Sequence, residues 1–354
     1  MKQKKNVTIY DIADEMNVSS GTVYRALHNT GRISQETRRR VLETAERMGY
    51  STNVAAQGLR RKPSYIGCLL CCPVISFLQE VRRGVDAAFE ALAPFRVFPD
   101  IREIGDNVDD HDEQIRQIFQ EFAENQCKGV LLFLSGKNSR YGELVQKLEA
   151  SGVPVAVVVS DIPESGRSVC VSVDGICAGM LAAEILNLSC TQKRVAILTG
   201  NKDISINKAN VLGFYEYAKT HPFAQIDVFE HQDLSQRALE QLSVILSKQE
   251  YDGLYISTAC SIYLYEYQKT AQIPPHMRIV TTDLFEENRI LLQEEIACAT
   301  IFQDPYLQGR RAVEMLNQRI NGTLEKGEYM LTPQLVMRSN RELFSSASPG
   351  RDKL

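Results

Sequence analysis

No apolar run in the sequence approaches the roughly twenty residues needed to cross a bilayer. The longest, YIGCLLCCPVI from Tyr65 to Ile75, is about half that. A secretory signal core is missing as well. The N-terminus is basic at Lys2, Lys4 and Lys5 but leads directly into VTIYDIADEM, which is amphipathic and acidic. A cytoplasmic protein with no membrane partner is therefore expected. Metal and redox chemistry are poorly supplied. The nine cysteines follow no regular spacing, the one CxxC (Cys68–Cys71) lies inside the apolar run, and the five histidines are scattered. Buried reduced thiols are expected, with no metal and no cofactor. The motifs of common catalytic sites are lacking too: there is no GxSxG, HExxH, P-loop or strand-following GxGxxG. LTGNKD, from Leu198 to Asp203, has the glycine of a phosphate loop without the Gly-Lys that should follow. An enzyme is not expected.

What the sequence does have is a charge asymmetry. Residues 1–62 hold twelve Lys and Arg against six Asp and Glu, so they carry +6 in a chain of net charge −4, and the rest carries −10. At 354 residues, 44% hydrophobic and 24% charged, the chain has room for two or three globular domains. A basic head on an acidic body suggests that the head alone faces a polyanion.

Helix signals are dense in that head. Thr8 stands three residues before Asp11, a short capping box, and Ile9, Ile12, Ala13 and Met16 follow at helical spacing. After a turn at Asn17–Ser19, Ser19 can cap a second helix with Thr22 as its third residue. Val23 and Leu27 then face inward, leaving Ser20, Gly21, Tyr24 and Arg25 mostly on the other side. A third helix is expected from Ser34 to a C-cap at Gly49. Helix, short turn and helix, with small polar groups opening the second, is the layout of a helix-turn-helix. Small residues there permit close approach to a groove. Arg25, one turn on, can reach guanine O6 and N7 through two hydrogen bonds.

The stretch VTIYDIADEMNVSSGTVYRALHNTGRISQETRRRVLETAERMGYSTNVAAQGL resembles the DNA-binding head of the lactose-repressor-type (LacI/GalR) transcription regulators. The shared pattern is VTIYDIA, VS..TV.R.L, IS..TR..V and GY..N..A..L in that order. The resemblance implies operator DNA as partner. Ser20, Gly21 and Arg25 fall at recognition-helix positions, with Tyr24 beside them. Thr8, Tyr10, Ser19, Thr22 and Arg32 join them on the DNA side, Tyr10, Ser19, Thr22 and Arg32 at positions that contact the backbone or adjacent bases. NVAAQGL, from Asn53 to Leu59, matches the hinge helix, with Leu59 as the minor-groove wedge and Ala56 beside it. The sequence departs from the pattern at Gly21, where many relatives have a base-reading side chain, and at His28, where Asn is usual. YSTN lacks the proline that commonly precedes the hinge, and Gly58 costs its helix about 1 kcal/mol of propensity.

Beyond RRKPSY, apolar runs alternate with amphipathic stretches: YIGCLLCC, KGVLLFL, VPVAVVV, SVCVSV, KRVAILTG, DGLYIS, MRIVTTD and CATIFQ. Such runs are expected to be parallel strands buried on both faces. The fold class is thus a small all-α helix-turn-helix head plus an α/β body of two doubly wound parallel-sheet lobes, divided after VPVAVVVSD. The expected domains are a head at 1–52, a hinge and linker at 53–63, a two-lobed body at 64–340 and a disordered tail at 341–354. Pockets in this architecture open at the carboxyl ends of the strands. Position alone picks out Ser76, Phe77, Ser135, Asp161, Asn201, Asp203, Ser257, Thr258, Asp283, Gln303 and Asp304.

The body also resembles the periplasmic-binding-protein-like effector domain of the same family, through VSVDGICAGMLAAEIL, LGFYEYAK and ATIFQDPYLQGRRAVEMLNQRING. That implies three crossovers between the lobes, a small molecule between them, usually a sugar, and a homodimer, with pairing into tetramers left open. Asn210 stands where the family commonly has a sugar-holding arginine. Leu284 replaces the second Asp of a GFDD segment, and STACS stands where ND..A is frequent. The expected function is a ligand-responsive transcription regulator, a repressor, bound to a near-palindromic operator, with a carbohydrate as the expected effector. The alternative is a solute-binding protein of a sugar uptake or sensing system. The basic head and the missing signal segment speak against it.

Overall fold

The computed structural model describes residues 7–28, 33–48, 62–106, 108, 111–231, 235–248 and 250–344. They fall into two units, a head within Met1–Lys62 and a body made of Pro63–Ala93 and Val97–Leu354.

Local hydrogen bonds start each helix of the head where the sequence signals it. Helix α1 (Ile9–Met16) opens on a capping box: the Asp11 N–H donates to Thr8 Oγ1, and the Thr8 N–H donates to Asp11 Oδ2 at 2.7 Å. It ends at Asn17, whose φ of 53° is the left-handed conformation that asparagine tolerates better than most residues. Helix α2 (Ser20–His28) follows after Val18, with the Thr22 N–H donating to Ser19 Oγ at 3.1 Å. Helix α3 (Gln35–Arg47) is capped by Ser34, which accepts from the Thr37 N–H at 3.1 Å. Ile12, Ala13, Val23, Ala26, Val41 and Ala45 close the core between the three. Small alanines at these positions let the helices approach. The expected C-cap at Gly49, and the hinge, lie outside the described residues.

The body starts with β1 (Ser64–Cys71), α4 (Ile75–Leu92), β2 (Val97–Ile104), α5 (Asp112–Glu124), β3 (Gly129–Leu134), α6 (Gly142–Ala150), β4 (Val155–Val158) and β5 (Val169–Val173). The chain then builds a second lobe from α7 (Gly175–Ser189), β6 (Arg194–Thr199), α8 (Ser205–Ala218), β7 (Gln225–Glu230) and α9 (Ser235–Ser247). This lobe continues through β8 (Gly253–Ile256), α10 (Ile262–Gln268), β9 (Arg278–Thr282), α11 (Glu286–Gln293) and β10 (Ala299–Phe302). Helix α12 (Pro305–Ile320) and β11 (Gly327–Leu331) return to the first lobe, and β12 (Gln334–Val336) ends in the second. The strand orders are β11-β5-β4-β3-β1-β2 and β12-β10-β9-β8-β6-β7, each parallel throughout except for the antiparallel edge strand β12.

Alternate residues of β1 serve opposite faces. Ile66, Cys68 and Leu70 pack with α4 and α12, whereas Leu69 and Cys71 pack with α5 and α6. The second sheet is covered in the same way, by α9–α11 on one face and by α7 and α8 on the other. Strands buried on both faces explain their unbroken apolar sequence. The expected division after Asp161 is corrected: β5 still pairs with β4, Ala156 opposite Val169, so the first crossing falls at Asp174. The expected disordered tail is corrected at its start. Arg341–Phe344 forms a 3-10 turn whose carbonyls at Arg341 and Phe344 accept from the Arg289 guanidinium, and Phe344 packs edge-on against Phe302.

Each lobe is centred on a helix pair whose backbones touch. A Cβ on Gly84 of α4 would lie 1.9 Å from the Tyr306 carbonyl oxygen, and one on Gly309 of α12 would lie 2.3 Å from that of Val81. In the second lobe, Gly179 of α7 meets the Asn210 carbonyl at 2.0 Å and Gly213 of α8 meets that of Ile176 at 2.1 Å. Only glycine fits at these four crossings.

Candidate functional site

Helix α2 presents an open polar edge. Ser19 caps it and Thr22 Oγ1 lies 2.9 Å from Ser19 Oγ, so these two hydroxyls order the first turn. Ahead of them, Gly21, Tyr24 and Arg25 are exposed and Ser20 is half-buried. The ion pairs of the head, Arg39–Glu43 and Arg47–Glu15, leave the Arg25 guanidinium without a carboxylate among the described residues. Tyr10 is exposed on α1, while the Thr8 hydroxyl donates to Asp11 Oδ2 at 2.6 Å within the cap. A helix N-terminus beside an unpaired arginine suits phosphate and base edges. Arg32, Asn53, Ala56 and Leu59 lie outside the described residues. Gly21 is not sterically required: a Cβ there would have its nearest neighbours at 3.8 Å (Ser19 Oγ) and 3.9 Å (an Arg25 guanidinium nitrogen). Gly21→Ala should therefore stabilise the head by about 0.5–1 kcal/mol through helix propensity. Thermal melting followed by circular dichroism checks this, and a lowered midpoint would contradict it.

A cavity of about 90 Å³ lies between the lobes at the carboxyl ends of the strands. The first lobe contributes Phe77 from α4, Ser135 after β3 and Ser160 after β4. The second contributes Asn207 and Asn210 from α8, Ser257 and Thr258 after β8, Asp283 after β9 and Gln303 after β10. Seven of the expected residues thus meet here: Phe77, Ser135, Asn210, Ser257, Thr258, Asp283 and Gln303. Four do not. Ser76 precedes Phe77 on the helix and turns toward a separate depression with Gln79 and Glu80. Asp161 is held by Arg167, which reaches it with two nitrogens and also pairs with Glu328. Asn201 is buried but accepts from the Asp203 N–H with its side chain and from Asn207 Nδ2 with its carbonyl, so it shapes the entry to α8. Asp203 is exposed. Asp304 caps α12, its Oδ1 accepting from the Leu307 N–H. Position at strand ends missed Ser160 and Asn207. Asn207 was within reach, because it lies three residues before Asn210 on the same helical face.

The lobes meet across this cavity. Ser160 Oγ lies 3.3 Å from Ser205 Oγ, and Phe77 meets Phe133 of its own lobe at a tilt and Phe285 of the other edge-on, at ring distances of 5.6 and 6.3 Å. Asn210 Nδ2 donates to the Ser257 carbonyl at 3.0 Å, but its Oδ1 is buried without a hydrogen-bond partner among the described residues. Asp283 is held in the left-handed conformation at φ 65°, an uncommon backbone for a residue other than glycine. Its carbonyl accepts from Thr300 Oγ1 and Asn288 Nδ2, and its Oδ1 accepts from the Gln303 N–H at 3.1 Å. Its Oδ2 has no hydrogen-bond partner among the described residues.

Burial pushes the Asp283 carboxyl up to about 8; the Gln303 N–H opposes this, and Asp304 and Glu80 add to it. Burial pushes His231, 3.1 Å from Thr258 Oγ1, down to about 4. The signs oppose each other. Asp283 binds its proton more tightly folded than unfolded, so its stabilisation is lost as pH rises from about 3.8 through about 8. His231 binds its proton less tightly when folded, so its contribution is lost as pH falls from 6.5 through about 4. Between about pH 6.5 and 8 only the Asp283 effect remains of the two. Denaturant unfolding should show stability falling across that window in the wild type, with a shallower fall in Asp283→Asn. Equal slopes would remove this role from Asp283.

A helix-turn-helix head on a two-lobed α/β body is the architecture of DNA-binding regulators built on a periplasmic-binding-protein fold. Residues 66–324 match the periplasmic binding protein domain, and residues 8–53 match the lacI family of bacterial regulatory proteins. The chain belongs to the periplasmic binding protein domain family through its body, and its head is a domain of the lacI family of bacterial regulatory proteins. It is similar to catabolite control protein A of Priestia megaterium, at 26% identity over 89% of this chain and 93% of that protein. It is also similar to the HTH-type transcriptional regulator pepR1 of Lactobacillus delbrueckii subsp. lactis, at 24% identity over 96% and 99%. Two solved structures share the fold of the body. One is a solute-binding protein of an ABC transporter from Burkholderia graminis in complex with D-arabinose, with TM-score 0.70 and 18% identity over 79% of this chain and 96% of that one. The other is a periplasmic ribose ABC transporter protein from Conexibacter woesei, with TM-score 0.66 and 17% identity over 81% and 95%. The chain is a DNA-binding transcriptional regulator.

Proposed function

We propose that this regulator is a cytoplasmic repressor that binds a near-palindromic operator as a homodimer and releases or tightens on it when a sugar or sugar derivative enters the cleft between the lobes. Residues 1–52 would form the reading head, 53–63 the hinge and 64–340 the effector body. Ser20, Tyr24 and Arg25 would face base edges, with Gly21 admitting the groove wall. Thr8, Tyr10, Ser19, Thr22 and Arg32 would face the backbone, and Asn53, Ala56 and Leu59 the minor groove. The observation that carries this reading is the buried pair Asn210 and Asp283, each with an oxygen lacking a hydrogen-bond partner, in a cavity walled by both lobes. Buried polar atoms cost free energy unless they are paired, so a ligand that pairs them favours the state of the body that holds it. It shifts DNA affinity only by its differential affinity for the two states. D-arabinose in the Burkholderia structure supports a carbohydrate.

The test is fluorescence anisotropy with a duplex selected from a random pool by the full chain, titrated with and without a panel of sugars and sugar derivatives. At least one should change operator affinity by about tenfold, equivalent to about 1.4 kcal/mol of coupling. A panel in which sugars bind the protein yet leave operator affinity unchanged would overturn the effector reading.

A further inference from the structure

The cleft is built for a ligand of one charge. No lysine or arginine lines it among the described residues. Its one acidic group, Asp283, is 1% exposed, with Oδ1 taken by the Gln303 N–H and Oδ2 without a partner. Asn210, also 1% exposed, has its Nδ2 fixed on the Ser257 carbonyl, which leaves Oδ1 as a second acceptor without a partner. With the carboxyl ionised, both open atoms accept and neither donates. The rings of Phe77 and Phe133 wall the same cavity, and aromatic faces favour a cation. The groups that bear on Asp283 from the neighbouring elements are Asp304 at the start of α12, Glu80 on α4 and the phenol of Tyr255 on β8. The thiols of Cys72 and Cys260 share the cavity, and His231 stands behind Thr258. Glu80 is itself paired with Arg83 at 2.6 Å. The surroundings are thus acidic or neutral.

We propose that the cleft selects a small ligand bearing an aliphatic ammonium group, seated on Asp283 Oδ2 with Asn210 Oδ1 as second acceptor. This rests on reading the cleft as the effector site, and with a carbohydrate effector it specifies an amino sugar or amino polyol. Phosphorylated and carboxylated sugars are disfavoured, because the lining offers them no cation. The ammonium also has a proton signature. At neutral pH the Asp283 carboxyl holds its proton, and an ammonium seats best on the carboxylate. Binding therefore releases that proton to solvent and forms a charge-assisted hydrogen bond in its place.

The experiment is calorimetry on the full chain with matched pairs, 1-amino-1-deoxysorbitol against sorbitol and cyclohexylamine against cyclohexanol. These amines keep their charge across the range from about pH 6 to 8. In at least one pair the amine should bind at least about tenfold more tightly than its alcohol, with affinity rising by up to about tenfold per pH unit. Buffers of different ionisation enthalpy should report proton release. Asp283→Asn should erase both the preference and the slope; the wild-type comparison stands whether or not that variant folds. Equal or tighter binding of the alcohols, a flat pH profile, or no amine binding at about 10 mM overturns the proposal. The two readings fail separately. Alcohols that bind and alter operator affinity keep the effector site and remove the ammonium preference. Amines that bind with the pH slope yet leave operator affinity unchanged do the reverse.

Discussion

An Arg25→Ala protein should lose about 1–3 kcal/mol of operator binding while its binding to unrelated DNA falls much less. The guanidinium is exposed, lies one turn inside α2 and has no carboxylate partner among the described residues. It can therefore reach guanine O6 and N7 without first breaking an ion pair. Its contribution to background binding is one charge among the head's surplus, so the salt slope on random duplex should drop by about one unit at most. Arg25→Lys should recover the background and not the preference, since an ammonium is a point charge and cannot match the two acceptors of guanine in one plane. Anisotropy titrations on selected and scrambled duplexes over a salt series separate these terms. Equal losses on both duplexes would assign Arg25 to phosphate.

Gly179→Val should destabilise the body by about 3 kcal/mol and weaken the ligand response with it. Even a single Cβ at this position would stand 2.0 Å from the Asn210 carbonyl oxygen and 2.7 Å from the Phe214 nitrogen. Those atoms are backbone, so no side chain can swing aside, and α8 must move away from α7. Asn210 moves with it, which strains its 3.0 Å bond to the Ser257 carbonyl and displaces Oδ1 in the cleft. Denaturant unfolding should show a lower midpoint with little change in slope. Gly142→Ala is the control, because the nearest atom to its Cβ is 4.0 Å away. An unchanged midpoint for Gly179→Val would mean the helices separate at no cost.

The parts of this molecule that were legible in its sequence are those decided within a few residues. Thr8, Ser19 and Ser34 start their helices because a hydroxyl three residues ahead of an N–H can close a ring, whatever the rest of the chain does. Parallel strands show because burial on both faces leaves no polar alternation. The division between the lobes was misplaced because VCVSV looks like any other buried strand, and the ten residues before it resemble a linker. Only pairing with β4 assigns it to the first sheet. The short edge strand β12 has no apolar run to announce it. In the cleft, neighbours on one helix were indistinguishable: Ser76 and Phe77 differ by a rotation that only packing fixes. Asp161 was a fair candidate until Arg167, six residues on, claimed it. The open oxygens of Asn210 and Asp283 are tertiary facts, since each depends on what the other elements decline to offer.

The three passages of the chain between the lobes also set an order of completion. By the time a growing chain reaches Phe302, every strand of the second sheet except β12 has been made. The first lobe, begun over two hundred residues earlier, still lacks α12 and its edge strand β11. The lobe that is started first therefore waits until most of the other has been made, and until α12 and β11 are added β5 has no outer neighbour and Val81 no Gly309 to rest on. An unpaired strand edge of this kind invites pairing with another chain. A chain cut short between Pro305 and Leu331 would damage the lobe that was begun first. Neither lobe could be excised as one uninterrupted reading frame.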